Sequence, residues 1–362
     1  MKPESHFPKL PSVSELLQHP AVEKVVDRMN QSTIAQRATG FLAELQTSWR
    51  DASVGSVMPS LGQMAEGLAQ RLMGKPDHAA PVINATGEIC SPRWQAPLAD
   101  AAVQEMLRLA GEFHEPASSL QQQASALLCE LTGAESAWVV SSYRVATRLV
   151  QDTEAELAQY AGLIDPLEFG LLAVPTLTAR VTARAELVVC DGAGLLGGPS
   201  CGIIVGRRAA VERLQQQPWS DVVGAESLPL VALVSTLSTY RMPGQVIHRI
   251  PIWQLLSAPR KNLQQRCERL ATLIAESDTV AEAVPTSSKS TWYVSDSMQL
   301  AGPTWAIRLL PDGQSLEQFV LSLEKSVPTV VAHIADNAVW LDLRSVFPRW
   351  DQQLVAAMQS TA

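Results

Sequence analysis

The stretch ELVVCDGAGLLGGPSCGIIVGRR, residues 186–208, limits the fold more than any other. One apolar β-like run ends in a glycine-dense turn and a second apolar run leaves it, which reads as a β-hairpin. Glycine lets the backbone pass close to a ligand because no Cβ stands in the way. Yet Asp191 is the only charged side chain between Glu186 and Arg207, and no lysine, histidine or tyrosine lies there.

Two catalytic patterns overlap this turn, and the local context fits neither. GAGLLG at 192–197 matches the dinucleotide pattern GxGxxG, which requires a helix to start at the turn and receive a pyrophosphate. Gly198, Pro199 and the β-like CGIIVG follow instead. GPSCG at 198–202 matches the nucleophile elbow GxSxG, which needs a strand-to-helix turn with a histidine and an acid in reach. The next histidine downstream is His248. Asp191 reads as a turn former and His114 as a cation at a helix end. Tyr143 and Arg144 open a helix after a strand, where an anion can meet free N–H groups.

The rest of the chain divides into three expected domains. Residues 1–74 read as a helical domain with LPSVSELLQHP, AVEKVVDRM, TIAQRATGFLAELQTSW and LGQMAEGLAQRLM as its helices. Its basic residues are balanced by an equal set of acids, which fits a docking or oligomerisation bundle. Residues 75–250 mix α and β. PVINATG is an entering strand and turn, and PLADAAVQEMLRLAGEF and PASSLQQQASALLCELTG are helices. SAWVVS is a strand followed by a helical run through residue 160. A helix after Pro175 leads into the hairpin, and RRAAVERLQQQ and SLPLVALVSTLSTYR are helices. Residues 251–362 read as a smaller α/β domain. It has a helix from Lys261 to Glu276, strands STWYVS and TWAIRLL, the helix SLEQFVLSLEKS, a hairpin over VVAHIADNAVWLDL and a last helix near Pro348.

Composition narrows the class. An apolar content of 46% with 18% charged residues fits an ordinary globular protein, and no apolar run approaches the roughly 20 residues of a membrane span. The start MKPESHFPKLPSV lacks the apolar segment of a secretory signal. Five widely spaced cysteines without a CxxC point to reduced thiols and a cytoplasmic location. The scattered histidines support no metal site. A net charge of −8 argues against a strongly basic nucleic-acid binder. The lysines are oddly placed: after Lys75 the next is Lys261, so 76–260 contains none.

Several stretches together carry a resemblance. LPSVSELLQHPAV at 10–22, PVINATG at 81–87, APL at 96–98, LLCELTGAESAWVV at 127–140, LLGGPSCGIIVGRR at 195–208, LVALVSTL at 230–237 and LDLRSV at 341–346 occur in family order. With them the chain resembles the bacterial L-seryl-tRNA(Sec) selenium transferases, or selenocysteine synthases, which are pyridoxal-phosphate enzymes. The resemblance implies an α/β fold. It predicts a truncated aspartate-aminotransferase-like core (PLP-dependent transferase fold type I), an N-terminal helical domain and a small C-terminal α/β domain.

The departures bear directly on chemistry. The family residue just before LLGGP is the lysine that holds the cofactor, and here that position is Gly194. Among side chains only lysine supplies the required primary amine. The family segment after PVINATG is replaced by EICSPRW, and its asparagine-rich phosphate cradle by Ser141, Ser142 and Tyr143. The stretch between Val150 and Glu186 has room for one strand–helix unit at most. The aspartate that pairs with the pyridine nitrogen in the family would fall near Leu157, where no acid is available. The resemblance therefore implies a vestigial site at Asn84, Thr86, Gly87, Ser141, Ser142, Gly197, Gly198 and Pro199, with no catalytic residue and no bound cofactor expected. The expected product is a non-catalytic subunit that joins itself or a complete paralogue, with tRNA(Sec) as a further partner and no membrane. The alternative is an active transferase that makes selenocysteinyl-tRNA(Sec) from seryl-tRNA(Sec) and selenophosphate. It would need Lys75, Lys261 or a neighbouring subunit's lysine at the cofactor.

Overall fold

The computed structural model describes residues 11–22, 34–35, 37–43, 45, 60–73, 81–114, 116–295 and 297–359. Two compact units emerge, Met1–Pro81 and Val82–Ala362. In the first, helix α1 (Val13–Leu17) starts from a capping box. The Glu15 N–H donates to Ser12 Oγ at 3.2 Å, and the Ser12 N–H donates to the Glu15 carboxylate at 2.6 Å. Helix α2 (Leu61–Met73) contributes Met64, Ala65, Leu68 and Ala69 to a core shared with Leu16, Val22, Ile34, Ala38 and Phe41. The expected helix AVEKVVDRM lies almost wholly outside the described residues, as do Lys2, Lys9, Lys24 and Lys75.

The second unit opens with strands β1 (Val82–Asn84) and β2 (Glu88–Ile89), then helices α3 (Asp100–Ala110) and α4 (Ala117–Thr132). Strand β3 (Ser136–Val140), helix α5 (Tyr143–Leu149), strand β4 (Ala155–Leu157) and helix α6 (Leu177–Thr182) come next. They are followed by β5 (Leu187–Asp191), β6 (Gly202–Gly206), α7 (Arg208–Gln215), α8 (Ser220–Val223) and α9 (Ser227–Tyr240). The strands form a four-stranded sheet of order β3-β6-β5-β4. β6 runs antiparallel to both neighbours, and β4 runs parallel to β5. One face of this sheet, through Val139, Val188, Cys190, Ile203 and Val205, packs on Leu127 and Leu128 of α4 and Leu230, Leu233 and Leu237 of α9. The other face, through Trp138, Val140, Leu187, Val189 and Ile204, packs on α5 and α7. Burial on both faces explains why these strands read as unbroken apolar runs. It also explains α9, which is apolar nearly all round and lies against both α3 and α4.

The sequence predicts a helix through residue 160, but α5 ends at Leu149 and 155–157 is a strand. Parallel pairing of Ala155, Glu156 and Leu157 with Leu187, Val188 and Val189 overrides a local pattern too short to separate helix from strand.

Helices α10 (Pro243–Arg249), α11 (Pro251–Leu256) and α12 (Arg260–Ile274) lead to a long hairpin, β7 (Val280–Ser295) and β8 (Met298–Pro311). Helix α13 (Leu316–Lys325), strands β9 (Thr329–Val331), β10 (His333–Ala335) and β11 (Ala338–Asp342), and helix α14 (Asp351–Gln359) complete the chain. A five-stranded sheet has the order β10-β11-β8-β7-β2, and β1 pairs in parallel with β9. Strands β1 and β2 therefore join the C-terminal sheets, although the sequence groups PVINATG with the domain that follows it. No helix among the described residues is long and apolar enough to cross a membrane.

A buried polar clasp holds β1 and β2 to the end of β11. The Gly87 N–H donates to Ser345 Oγ at 2.9 Å, and that hydroxyl donates to the Asn84 carbonyl at 2.8 Å. The buried Asp342 carboxylate accepts from Ser290 Oγ at 2.8 Å, from Thr304 Oγ1 at 2.9 Å and from the Arg344 N–H at 2.9 Å. Burial pushes the Asp342 carboxyl up from its usual range, and these hydrogen bonds and the Arg344 charge oppose that shift. Arg344 donates to the carbonyls of Leu256 at 3.0 Å, Ala258 at 3.2 Å and Pro303 at 2.9 Å, which ties the end of α11 to β8. Arg344→Ala leaves those carbonyls without their donor and takes a positive charge away from the buried Asp342 carboxylate. Chemical denaturation should show a loss of about 3 kcal/mol.

Candidate functional site

The β5–β6 turn, where the sequence places the vestigial site, satisfies its backbone groups within the protein. The pairing of Cys190 with Ile203 and Asp191 with Gly202 brings the strands together at its base. Across it, the Gly192 N–H donates to the Cys201 carbonyl at 3.0 Å and the Gly198 N–H to the Gly192 carbonyl at 2.8 Å. The Gly197 N–H donates to the Gly194 carbonyl at 2.9 Å. Asp191 is the turn former its position predicts: its Oδ1 accepts from the Ala193 N–H at 3.0 Å. Two buried side chains pin the turn's outer carbonyls. Tyr240 Oη donates to Leu196 O at 2.8 Å, and Trp253 Nε1 donates to Leu195 O at 2.9 Å. Burial raises the Tyr240 phenol above its ordinary range. Gly197 has φ +70°, and a Cβ there would stand 2.3 Å from Ile250 Cγ2.

Position 194 is closed by the chain itself. After β4 the backbone stays beside β5, with the Ala158 N–H donating to Val189 O at 2.8 Å and the Asp191 N–H to Gln159 O at 2.7 Å. It then crosses the turn, where the Leu195 N–H donates to Tyr160 O at 3.1 Å, and reaches β7, where the Tyr160 N–H donates to Val294 O at 3.3 Å. A Cβ on Gly194 would stand 2.5 Å from Tyr160 Cα, and one on Gly162 would stand 2.7 Å from Leu195 Cβ. Each segment thus has a glycine where the other passes, a separation no larger residue tolerates. The loop that follows is folded back by Leu177 N–H to Gly162 O at 2.9 Å and by Asp165 Oδ1, which accepts from the Leu167 and Val174 N–H groups, both at 3.0 Å. Ala158, Ala161, Leu171 and Val174 share one core with Leu195, Leu196, Trp253 and Trp292. The residues beside position 194 therefore do not fit pyridoxal phosphate held by a lysine there.

The other expected site residues are engaged elsewhere. Asn84 Oδ1 accepts from the Thr86 N–H at 3.1 Å and from its hydroxyl at 2.7 Å, while Asn84 Nδ2 donates to Glu88 O at 2.9 Å. With Gly87 these residues belong to the clasp at Asp342 and Ser345. Ser142 caps α5 by accepting from the Val145 N–H at 3.3 Å, and the Ser141 N–H donates to Val223 O at 2.8 Å. Pro199 is buried in the turn. Cys201 and Cys90 are no nucleophiles, because burial first of all pushes each thiol up to about 12. Among the described residues no group of three His, Cys, Asp or Glu side chains could hold a metal. The residues that sequence reasoning missed are Tyr160, Gly162, Tyr240 and Trp253. Only Gly162 carried a local signal, as an isolated glycine at a close backbone approach.

Comparison with known proteins now defines the class. The structure of D-glucosaminate-6-phosphate ammonia-lyase matches with a TM-score of 0.50 at 16% identity, covering 78% of this chain and 96% of that one. Pyridoxamine-pyruvate aminotransferase from Mesorhizobium loti gives 0.39 at 14% identity, over 79% and 93%. The core is a shortened aspartate-aminotransferase-like α/β fold of fold type I. The family SelA, L-seryl-tRNA selenium transferase, matches residues 158–347, and the chain belongs to it. The L-seryl-tRNA(Sec) selenium transferase of Moorella thermoacetica is 26% identical over 455 aligned residues, covering 97% of this chain and 96% of that protein. That span exceeds the 362 residues of this chain, so the relative contains residues with no counterpart here. The Yersinia enterocolitica protein of the same name is 31% identical over 188 residues, which is 50% of this chain and 40% of that one.

The crossing makes a sharp prediction. Gly194→Ala should destabilise the protein by about 3 kcal/mol in chemical denaturation, because backbone must move to admit one methyl group. Gly224→Ala, where a Cβ would meet open space, should change stability by no more than about 0.5 kcal/mol.

Proposed function

We propose that this chain is a non-catalytic selenocysteine-synthase-like protein that acts by assembly, with itself or with a complete paralogue. The observation that carries this reading is Gly194 packed on the Tyr160 backbone, where a lysine would be needed and its Cβ alone would stand 2.5 Å from Tyr160 Cα. An amine cannot be supplied from nearby in sequence, since 76–260 contains no lysine. Lys261 lies in the first turn of α12, a helix packed on β7 and β8. The turn's amides at Gly192, Ala193, Gly194, Leu195, Gly197 and Gly198 already donate within the protein, which disfavours a phosphate cradle there. The proposed division of labour keeps residues 1–74 as a docking bundle, 75–250 as the shortened cofactor-type domain and 251–362 as the small domain, in the cytoplasm. tRNA(Sec) remains a partner of this reading, through contacts that a net charge of −8 would confine to a local basic face.

The test is incubation of the purified protein with pyridoxal phosphate, followed by absorption spectroscopy, borohydride reduction and peptide mapping. The proposal expects no visible band and no adduct on any one lysine. A single trapped lysine, at Lys75, Lys261 or elsewhere, would contradict it and point to an active L-seryl-tRNA(Sec) selenium transferase with a relocated amine.

A further inference from the structure

We infer that residues 163–176 form a lid that opens as one unit while the sheets stay folded, and that its opening uncovers the buried aromatic floor at Trp253 and Trp292. This goes beyond the assembly reading above and does not rest on it. The lid leaves the crossing at Gly162 and rejoins the fold at Leu177, and the Leu177 N–H to Gly162 O hydrogen bond at 2.9 Å closes its two ends on each other. A segment of this length with joined ends and its own side chains inside is an Ω-loop. Its polar contacts are self-contained. Asp165 Oδ1 accepts from the Leu167 and Val174 N–H groups, both at 3.0 Å, so one carboxylate oxygen ties the two limbs together. Pro166–Phe169 makes a single 3-10 turn, and Gly170 takes φ +73° to reverse the chain. The Gly170 N–H donates to Leu167 O at 3.0 Å and the Leu171 N–H to Pro166 O at 3.3 Å. On the far limb Thr176 Oγ1 accepts from the Ala179 N–H at 3.1 Å, and Arg180 Nε donates to Pro175 O at 3.1 Å. Among the described residues, the hydrogen bonds of 163–176 are thus made within 162–180. The segment just before it is held differently: Ala158, Gln159 and Tyr160 bond the backbones of Val189, Asp191, Leu195 and Val294.

Apolar packing is what holds the lid down. Leu171 and Val174 are buried in the same core as Trp253 and Trp292, and the Phe169 ring lies 5.8 Å from the Trp253 ring. Such contacts have no direction and are lost together when the loop lifts, whereas the hydrogen bonds inside the loop travel with it. The floor also holds a group that closure leaves unsatisfied. Trp292 is fully buried, and its Nε1 has no hydrogen-bond partner among the described residues. Leu171 and the Trp292 ring meet at Gly302, where a Cβ would stand 2.9 Å from Leu171 Cδ2 and 2.7 Å from Trp292 Cζ3. An unpaired buried donor weighs against the closed form, and moving Leu171 away admits the water that pairs it.

The experiment is native-state hydrogen exchange on the full chain at a series of sub-denaturing urea concentrations, for the wild type and Asp165→Ala. In the wild type the amides of Gly170, Leu171 and Leu177 should share one opening free energy and one small urea dependence. They should exchange at least about 100-fold faster than those of Val188 and Ile204 in the sheet. Asp165→Ala should speed all three by about 10-fold or more, although none of them bonds Asp165, because losing two hydrogen bonds to a carboxylate favours opening of the whole lid. Three different urea dependences, or rates and slopes equal to those of the sheet, would overturn the inference. So would an effect of Asp165→Ala confined to Leu167 and Val174, the amides that lose their acceptor. A lid that stays shut would leave the reading of position 194 intact, and a lysine trapped by pyridoxal phosphate would leave the lid intact.

Discussion

The crossing of residues 160–162 over 194–195 sets much of this structure. Two backbone segments meet with a glycine on each side, joined by the Leu195 N–H to Tyr160 O hydrogen bond at 3.1 Å. Close backbone approach of this kind excludes side chains and water together, so the surrounding groups must find partners inside the protein. They do: Asp191 turns the chain, Tyr240 and Trp253 hold the carbonyls of Leu195 and Leu196, and Val294 takes the Tyr160 N–H. The same contact links the four-stranded sheet to the long hairpin that follows it. Residues 158–162 are thereby part of the core.

The short stretch between Val150 and Glu186 and the glycine at 194 fit each other. Between α5 and α6 the chain passes from β4 across the β5–β6 turn. A long side chain at 194 would obstruct it. The motifs that carry the resemblance have structural uses here. Asn84 and Gly87 of PVINATG clasp Asp342 and Ser345 of LDLRSV. In LLGGP, Gly197 packs on Ile250 and Leu196 accepts from Tyr240.

Much of the fold was legible in the sequence where apolar pattern and turn chemistry agree. The β5–β6 hairpin, α4, α9, the hairpin around Asp336 and Asn337, and the helix after Pro348 follow from local signals. Strand β4 was not legible, because three residues carry no period and its pairing partner lies 32 residues on, Ala155 with Leu187. Nor was the alliance of β1 and β2 with the C-terminal sheets, since register between distant segments leaves no local trace. At the site, the sequence shows a glycine at 194 where the resemblance implies a lysine. It could not supply the reason the space is closed, because Tyr160 and Gly162 meet the turn only through tertiary structure.

Native-state hydrogen exchange, resolved at the amides of Asp191 and Leu195 with and without pyridoxal phosphate, tests the closed crossing most directly. If the crossing is core, these amides exchange in the slowest class, together with Val188 and Ile204 of the sheet, and the cofactor changes nothing. Fast exchange at Leu195, or protection that appears only with pyridoxal phosphate, would mean an open cleft at position 194 and would contradict the account.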